Sequence, residues 1–273
     1  MKLQRLLSLT RQAVDEFHMI EEGDKIAVGI SGGKDSLTLL YALSYLQRFY
    51  PKHFTIEAIT VHPGYEGFDL SPVQALCDEL EVPYTIVHTQ ISEILFEARK
   101  ESHPCALCAK LRKGAFNEKA LELGCNKIAL GHHYDDVIET ILMGMLYSGK
   151  IETMMPKLHS TNFEGMELIR PMYLIKEADI IGWRDYNQLN FIQCACRFTE
   201  NCATCGGGRG SKRDEMKELI AQFREESNLI EKNIFRSVHN VNLRTIIGYH
   251  KDDDIYNFLD DYDERGKKKH EKM

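Results

Sequence analysis

Residues 31–36 read Ser-Gly-Gly-Lys-Asp-Ser, between the small apolar stretch KIAVGI (25–30) and a helix-like run that starts at LTLL. Glycines in that setting let backbone N–H groups come close to a phosphate, and the N-terminal end of the following helix adds partial positive charge. Spacing decides which phosphate chemistry fits. A Walker A loop needs a glycine five residues before its second glycine and a hydroxyl after its lysine. Here those positions hold Val28 and Asp35. The dinucleotide pattern G-x-G-x-x-G fails as well, because Gly29, Gly32 and Gly33 are wrongly spaced. An aspartate directly after the lysine therefore argues against both common nucleotide loops.

A second group is GHHYDD, residues 131–136, at the end of an expected strand and the start of an expected helix. Ligands bind at the carboxyl ends of strands in open α/β sheets. Two readings compete. Asp135 and Asp136 could serve as favourable charges on the first helical turn, or Gly131 could admit a nucleotide while His132 and Asp136 contact ATP or its metal. Arg170, in IRP at a strand end, has a phosphate contact and a surface ion pair as equal alternatives.

Eight cysteines complete the reactive set. Cys77 and Cys125 stand alone and read as small buried hydrophobes. Cys105 and Cys108 lie three residues apart at the expected start of a helix, where the dipole favours thiolates. Cys194, Cys196, Cys202 and Cys205 crowd into CACRFTENCATC. Such clustering points to metal or redox chemistry. Spacing leaves structural zinc and iron–sulfur ligation equally open.

Positioning these groups requires a scaffold, and the apolar pattern supplies one. Short β-branched runs at 25–30, 55–62, 84–89 and 126–131, with a weaker one at 166–172, alternate with helical spacings such as Leu37/Leu40/Leu43, Val73/Leu76/Leu80 and Leu111/Phe116/Leu121. Strands alternating with helices imply an α/β fold with a doubly wound, mostly parallel sheet covered on both faces. The expected organisation is a core with an N-terminal helix over 1–190, a cysteine-rich loop and packed helices over 191–240, and a charged, partly disordered tail over 241–273. A hairpin is expected around 154–170 and a helix over 176–190. The 273 residues carry a net charge of −7, with 43% hydrophobic and 27% charged residues, an ordinary soluble composition. No run approaches the roughly 20 apolar residues of a membrane helix, so a cytoplasmic enzyme without a membrane partner is expected. The acidic balance weighs against a nucleic-acid coat. Local basic groups remain at Lys110, Arg112 and Lys113, at Arg209, Lys212 and Arg213, and in the tail RGKKKHEKM.

SGGKDS resembles the PP-loop of the ATP pyrophosphatase superfamily, which splits ATP between its α and β phosphates. That resemblance implies that Ser31, Gly32, Gly33 and Ser36 cradle pyrophosphate, Lys34 neutralises it, and Asp35 helps position Mg2+, a hard cation that suits a carboxylate. The ordered series SGGKDS, PCALCAKLRKG, IALGHHYDD, IRPM and FIQCAC is similar to the TtcA family of tRNA 2-thiocytidine synthetases over roughly residues 1–240. Membership would imply ATP contacts at Val61, Gly131, His132 and Asp136. It would also imply a 4Fe-4S cluster on Cys105, Cys108 and Cys196, with Cys194 as the alternative third ligand, and a tRNA substrate. A sulfur donor, either a cysteine desulfurase or free sulfide, and a homodimer complete what the family implies. The added ENCATCGGGRG stretch with Cys202 and Cys205 departs from the family pattern. Competing readings are a thiolase for another tRNA position or substrate, a PP-loop ligase with structural zinc, and a non-catalytic redox-sensing nucleotide-binding protein.

Overall fold

Alternation along strand β1 (Asp24–Gly29) sets the architecture. Ile26 and Val28 join one buried apolar cluster while Ala27 joins another, so the two sides of the strand are covered separately. A computed structural model describes residues 2–64, 69–95, 104–187 and 212–262, leaving the side chains of 104–106 undescribed. Within it, α1 (Leu3–Glu16) buries Leu6, Thr10, Ala13 and Val14 as a helical stripe. After β1 come α2 (Lys34–Gln47), β2 (Phe54–His62), α3 (Ser71–Glu79), β3 (Tyr84–His88), the single turn α4 (Ile91–Glu93) and α5 (Pro104–Glu122). Then follow β4 (Lys127–Ala129), α6 (Tyr134–Met143), the hairpin β5 (Lys157–His159) and β6 (Glu167–Ile169), and α7 (Glu177–Tyr186). Beyond residue 211 lie α8 (Lys212–Glu226), α9 (Ile230–Ser237) and a hairpin of β7 (Gly248–Lys251) and β8 (Asp254–Asn257).

The main sheet has the order β3-β2-β1-β4-β6-β5. Only the β5–β6 pair is antiparallel. Chain direction across the sheet reverses between β1 and β4, which opens a crevice at the carboxyl ends of those two strands. One face is packed by α1, α2, α3 and α7, and the other by α5, whose Phe116 and Ala120 meet Ala27, Ile59 and Ile128. At the opposite strand ends, buried Lys127 pairs with Glu167 and lies 3.4 Å from Asp24, tying β1, β4 and β6 together. The helices α8 and α9 cover α6 through Met216, Ile220, Ile138 and Leu142, with Phe235 stacked on Tyr134.

The strands, the hairpin and the helix at 177–186 agree with the sequence reading, with ends shifted by one to several residues. Leu121 does not; it is 42% exposed, and Ala120 takes the inward position instead. Residues 241–262, read as the start of a charged tail, form the β7–β8 hairpin and two short helical turns. Acidic residues gather at its turn, where Asp252 takes the left-handed backbone, while Tyr249 and Tyr256 stack across the strands. Charge at a turn is compatible with strands on either side.

Candidate active site

The loop after β1 is built by its own hydroxyls. Gly32 has φ +81°, a conformation that side chains rarely adopt. The Ser31 amide donates to Ser36 Oγ at 3.2 Å, the Gly33 amide donates to Ser31 Oγ at 3.3 Å, and Ser36 Oγ donates to the Gly33 carbonyl at 3.0 Å. Gly33 caps α2 in an extended conformation, so the loop turns directly into the helix N-terminus. There Lys34 Nζ sits 2.9 Å from Asp35 Oδ1 and 2.9 Å from Glu177 Oε1. Burial opposes the ammonium charge, but Asp35 and Glu177 outweigh it and raise the lysine pKa. Lys34 is thus a firmly charged cation held beside the loop by α7, and Glu177 is a partner that no local pattern announced.

The strand β4 delivers the second group to the same crevice. Gly131 is pressed onto the loop backbone: a Cβ there would lie 3.1 Å from the Asp35 carbonyl carbon and 3.2 Å from the Ser36 nitrogen. Its missing side chain therefore serves packing between the two motifs. Gly131→Ala must push backbone against backbone by a few tenths of an ångström, and should slow ATP cleavage by roughly 10-fold with the fold retained, since misplacement of reacting groups is costly. Pyrophosphate release alongside a thermal melt checks this.

At the start of α6 the two aspartates divide. Asp136 accepts from the His133 amide at 2.9 Å and so caps the helix. Asp135 is buried, accepts from the Glu177 amide at 2.7 Å and pairs with Arg224 of α8. Buried His133 lies among three carboxylates, 3.8 Å from Asp35, 3.8 Å from Asp135 and 3.6 Å from Asp136. It links the loop to α6, a role the sequence reading did not assign. Arg213 and Lys217 of α8 reach Glu139 at 3.0 Å and Glu177 at 3.8 Å.

Arg170 is buried, so it is not the surface ion pair that was one of the two alternatives foreseen for it. It is 9% exposed and hydrogen-bonds the Met155 carbonyl, while its Nε donates to His132 Nδ1 at 3.3 Å. A guanidinium only donates, so Nδ1 must accept and the ring proton sits on Nε2. Burial, then the Arg170 charge, with smaller contributions from Arg213 and His133 against Asp136, push the His132 pKa from 6.5 down to about 4. The unfolded imidazole takes its proton nearer 6.5, so between these values the unfolded chain binds more protons than the native one. Stability from this group is complete above the window and is lost as pH falls through it, with a slope approaching ~1.4 kcal/mol per pH unit. Urea midpoints should drop from neutral pH toward about pH 4.5, and His132→Gln should flatten that drop.

The cysteine helix lies over the adjoining strand ends. Cys108 is buried with Ile91 and Leu95, and Val61 at the end of β2 packs both on this group and on the Phe116 cluster. Cys105 is on the first turn of α5. Burial pushes Cys77 up to about 12 and Cys125 up to about 11, in keeping with inert core thiols. Cys194, Cys196, Cys202, Cys205 and Arg209 lie outside the described residues. Among the described residues no group of three or more His, Cys, Asp or Glu forms a metal site, and no helix is long and apolar enough to cross a membrane.

Comparison with known proteins places this arrangement. A PP-loop domain family matches residues 5–196, a span that includes the loop, α5, the start of α6 and residues 194–196. A tRNA-cytidine(32) 2-sulfurtransferase of Syntrophotalea carbinolica is 36% identical over 249 residues, covering 89% of this chain and 92% of that protein. One from Pseudomonas fluorescens is 37% identical over 242 residues, covering 88% and 85%. The fold is similar to that of the U34-tRNA thiolase NcsA of Methanococcus maripaludis, solved with its [4Fe-4S] cluster, at a TM-score of 0.67 and 21% identity over 88% of this chain and 80% of that one. With its ATP loop, its α6 motif and most of its length matched, the chain belongs to the PP-loop domain family and, within it, to the tRNA-cytidine(32) 2-sulfurtransferases.

Proposed function

We propose that the protein is an ATP-dependent tRNA sulfurtransferase that converts an anticodon-loop cytidine to 2-thiocytidine. The observation that carries this reading is that one sheet presents the SGGKDS loop at the end of β1 and, over the end of β2, a helix bearing Cys105 and Cys108. A ring carbonyl oxygen is a poor leaving group. Its attack on the α-phosphorus of ATP forms an adenylate and expels pyrophosphate; sulfur then bonds to the same carbon, and the oxygen leaves within AMP.

Ser31, Gly32, Gly33 and Ser36 would cradle the departing pyrophosphate, with Lys34 exchanging Glu177 for phosphate oxygens. Preorganised donors of this kind stabilise charge as it develops. Asp35 would hold Mg2+. Val61, Gly131, His132 and Asp136 would line the nucleotide, with His132 donating from Nε2. Cys105, Cys108 and Cys196, or Cys194 in place of the last, would hold a 4Fe-4S cluster; soft thiolates suit iron and sulfur, and the third must come from the segment 188–211. When bound, that cluster supplies sulfur at the activated carbon. A homodimer, a cysteine desulfurase or sulfide as donor, and a cytoplasmic setting belong to the same proposal.

Nucleoside mass spectrometry of tRNA from cells lacking the gene tests the substrate. Loss of 2-thiocytidine is expected, and its unchanged level would overturn the assignment. Stoichiometric zinc without iron in anaerobically purified protein would instead favour a ligase with a structural metal.

A further inference from the structure

We infer that the solvent face of α5 docks the phosphate backbone of the tRNA, with Lys110, Arg112 and Lys113 as its cations and Gly114 as the gap that admits the backbone. This rests on the tRNA reading above and adds the surface that would recognise the substrate.

The charge pattern is the first observation. Several cations of this acidic chain are paired nearby: Arg11 with Asp15, Lys52 with Glu21, Lys119 with Glu122 and Arg184 with Asp185. Lys110, Arg112 and Lys113 are exposed, and they make no ion pair among the described residues. No acidic residue occurs from Pro104 through Asn117. Three uncompensated cations on one turn create a locally positive field on a chain whose net charge is −7. Phosphodiesters are the polyanions such a field attracts.

Place is the second. Lys110 and Lys113 are an i,i+3 pair, and Arg112 follows Cys108 by one turn, at a point where the helix is open to solvent. Cys108 itself faces inward to Ile91 and Leu95. A backbone held on the outer face would thus run beside the turn that carries the sulfur chemistry.

Gly114 is the third and is independent of charge. It is exposed inside a 19-residue helix, its φ is not positive, and a Cβ would meet no described residue within 4 Å. Glycine destabilises a helix interior relative to alanine, and no described residue crowds this position, so the missing side chain leaves room for a partner to approach the helix closely.

Fluorescence anisotropy of unmodified tRNA against the cluster-loaded protein, at several salt concentrations, tests this. The triple variant K110E/R112E/K113E should bind at least about 10-fold more weakly, and its log K against log salt should flatten by about 2 to 3 units. Gly114→Ala should raise Tm yet weaken tRNA binding measurably, since even a Cβ intrudes on the gap. Gly114→Leu should melt no lower than the wild type yet lose tRNA binding. ATP affinity should be unchanged in all three variants; its loss would assign the cations to the nucleotide and overturn the proposal. Unchanged tRNA affinity and salt slope in the triple variant, or wild-type binding by Gly114→Leu, would overturn the docking surface while leaving the tRNA reading intact. A wild-type protein that binds no tRNA at any salt would remove both.

Discussion

Replacing Cys108 by serine is expected to abolish base thiolation, to below about one-thousandth of the wild-type rate, while ATP still binds. The residue is 9% exposed and packed against Ile91 and Leu95. A serine hydroxyl in that setting costs about 1–3 kcal/mol if it finds no partner, so some loss of stability accompanies the loss of function. Cys77 and Cys125 supply the control. Both are buried and held far above the ordinary thiol pKa, by desolvation first. Serine there should lower stability to a similar degree yet leave iron content and thiolation in the surviving folded protein intact. Iron and acid-labile sulfide assays, run beside tRNA nucleoside analysis, separate the two effects. A Cys108→Ser protein that keeps both its iron and its activity would remove this cysteine from the chemistry.

Lys34→Ala should slow pyrophosphate release by about 10²–10³-fold, the loss typical of one preorganised donor to developing charge, or ~3–4 kcal/mol of barrier. The stability of the fold should scarcely change. Lys34 and Glu177 are 24% and 25% exposed, so the carboxylate left behind can take up water, and partly exposed ion pairs contribute little. Single-turnover release of pyrophosphate from ATP, with Tm measured on the same sample, distinguishes these expectations. A large drop in Tm with a proportionate loss of activity would make Lys34 a structural cation. Because Asp35 and Glu177 raise its pKa against the effect of burial, the wild-type rate should show no alkaline loss from Lys34 deprotonation near neutral pH.

Local order in the chain was enough to find the glycine loop, the strand that precedes it and the helix bearing Cys105 and Cys108. Each depends on forces between residues close in sequence: the backbone freedom of Gly32, the period-2 alternation of Ile26, Ala27 and Val28, and the two-turn spacing of Leu37, Leu40 and Leu43. The same local cues misjudged residues 241–262, where side chains stacked across a hairpin outweigh a run of acidic residues.

What the sequence determined by itself is therefore the material of the site: a glycine loop that fits neither common nucleotide motif and resembles a PP-loop, two thiols on one helical turn, and a doubly wound, mostly parallel sheet. Tertiary structure decided which charged groups face which. Glu177 meets Lys34, Arg170 fixes the tautomer of His132, His133 rather than its neighbour sits among the carboxylates, and Gly131 yields its side-chain space to the loop backbone. Helical and strand periodicity are properties of neighbouring residues, whereas an ion pair or a backbone contact forms only when distant segments are brought together, and its strength depends on the burial they create.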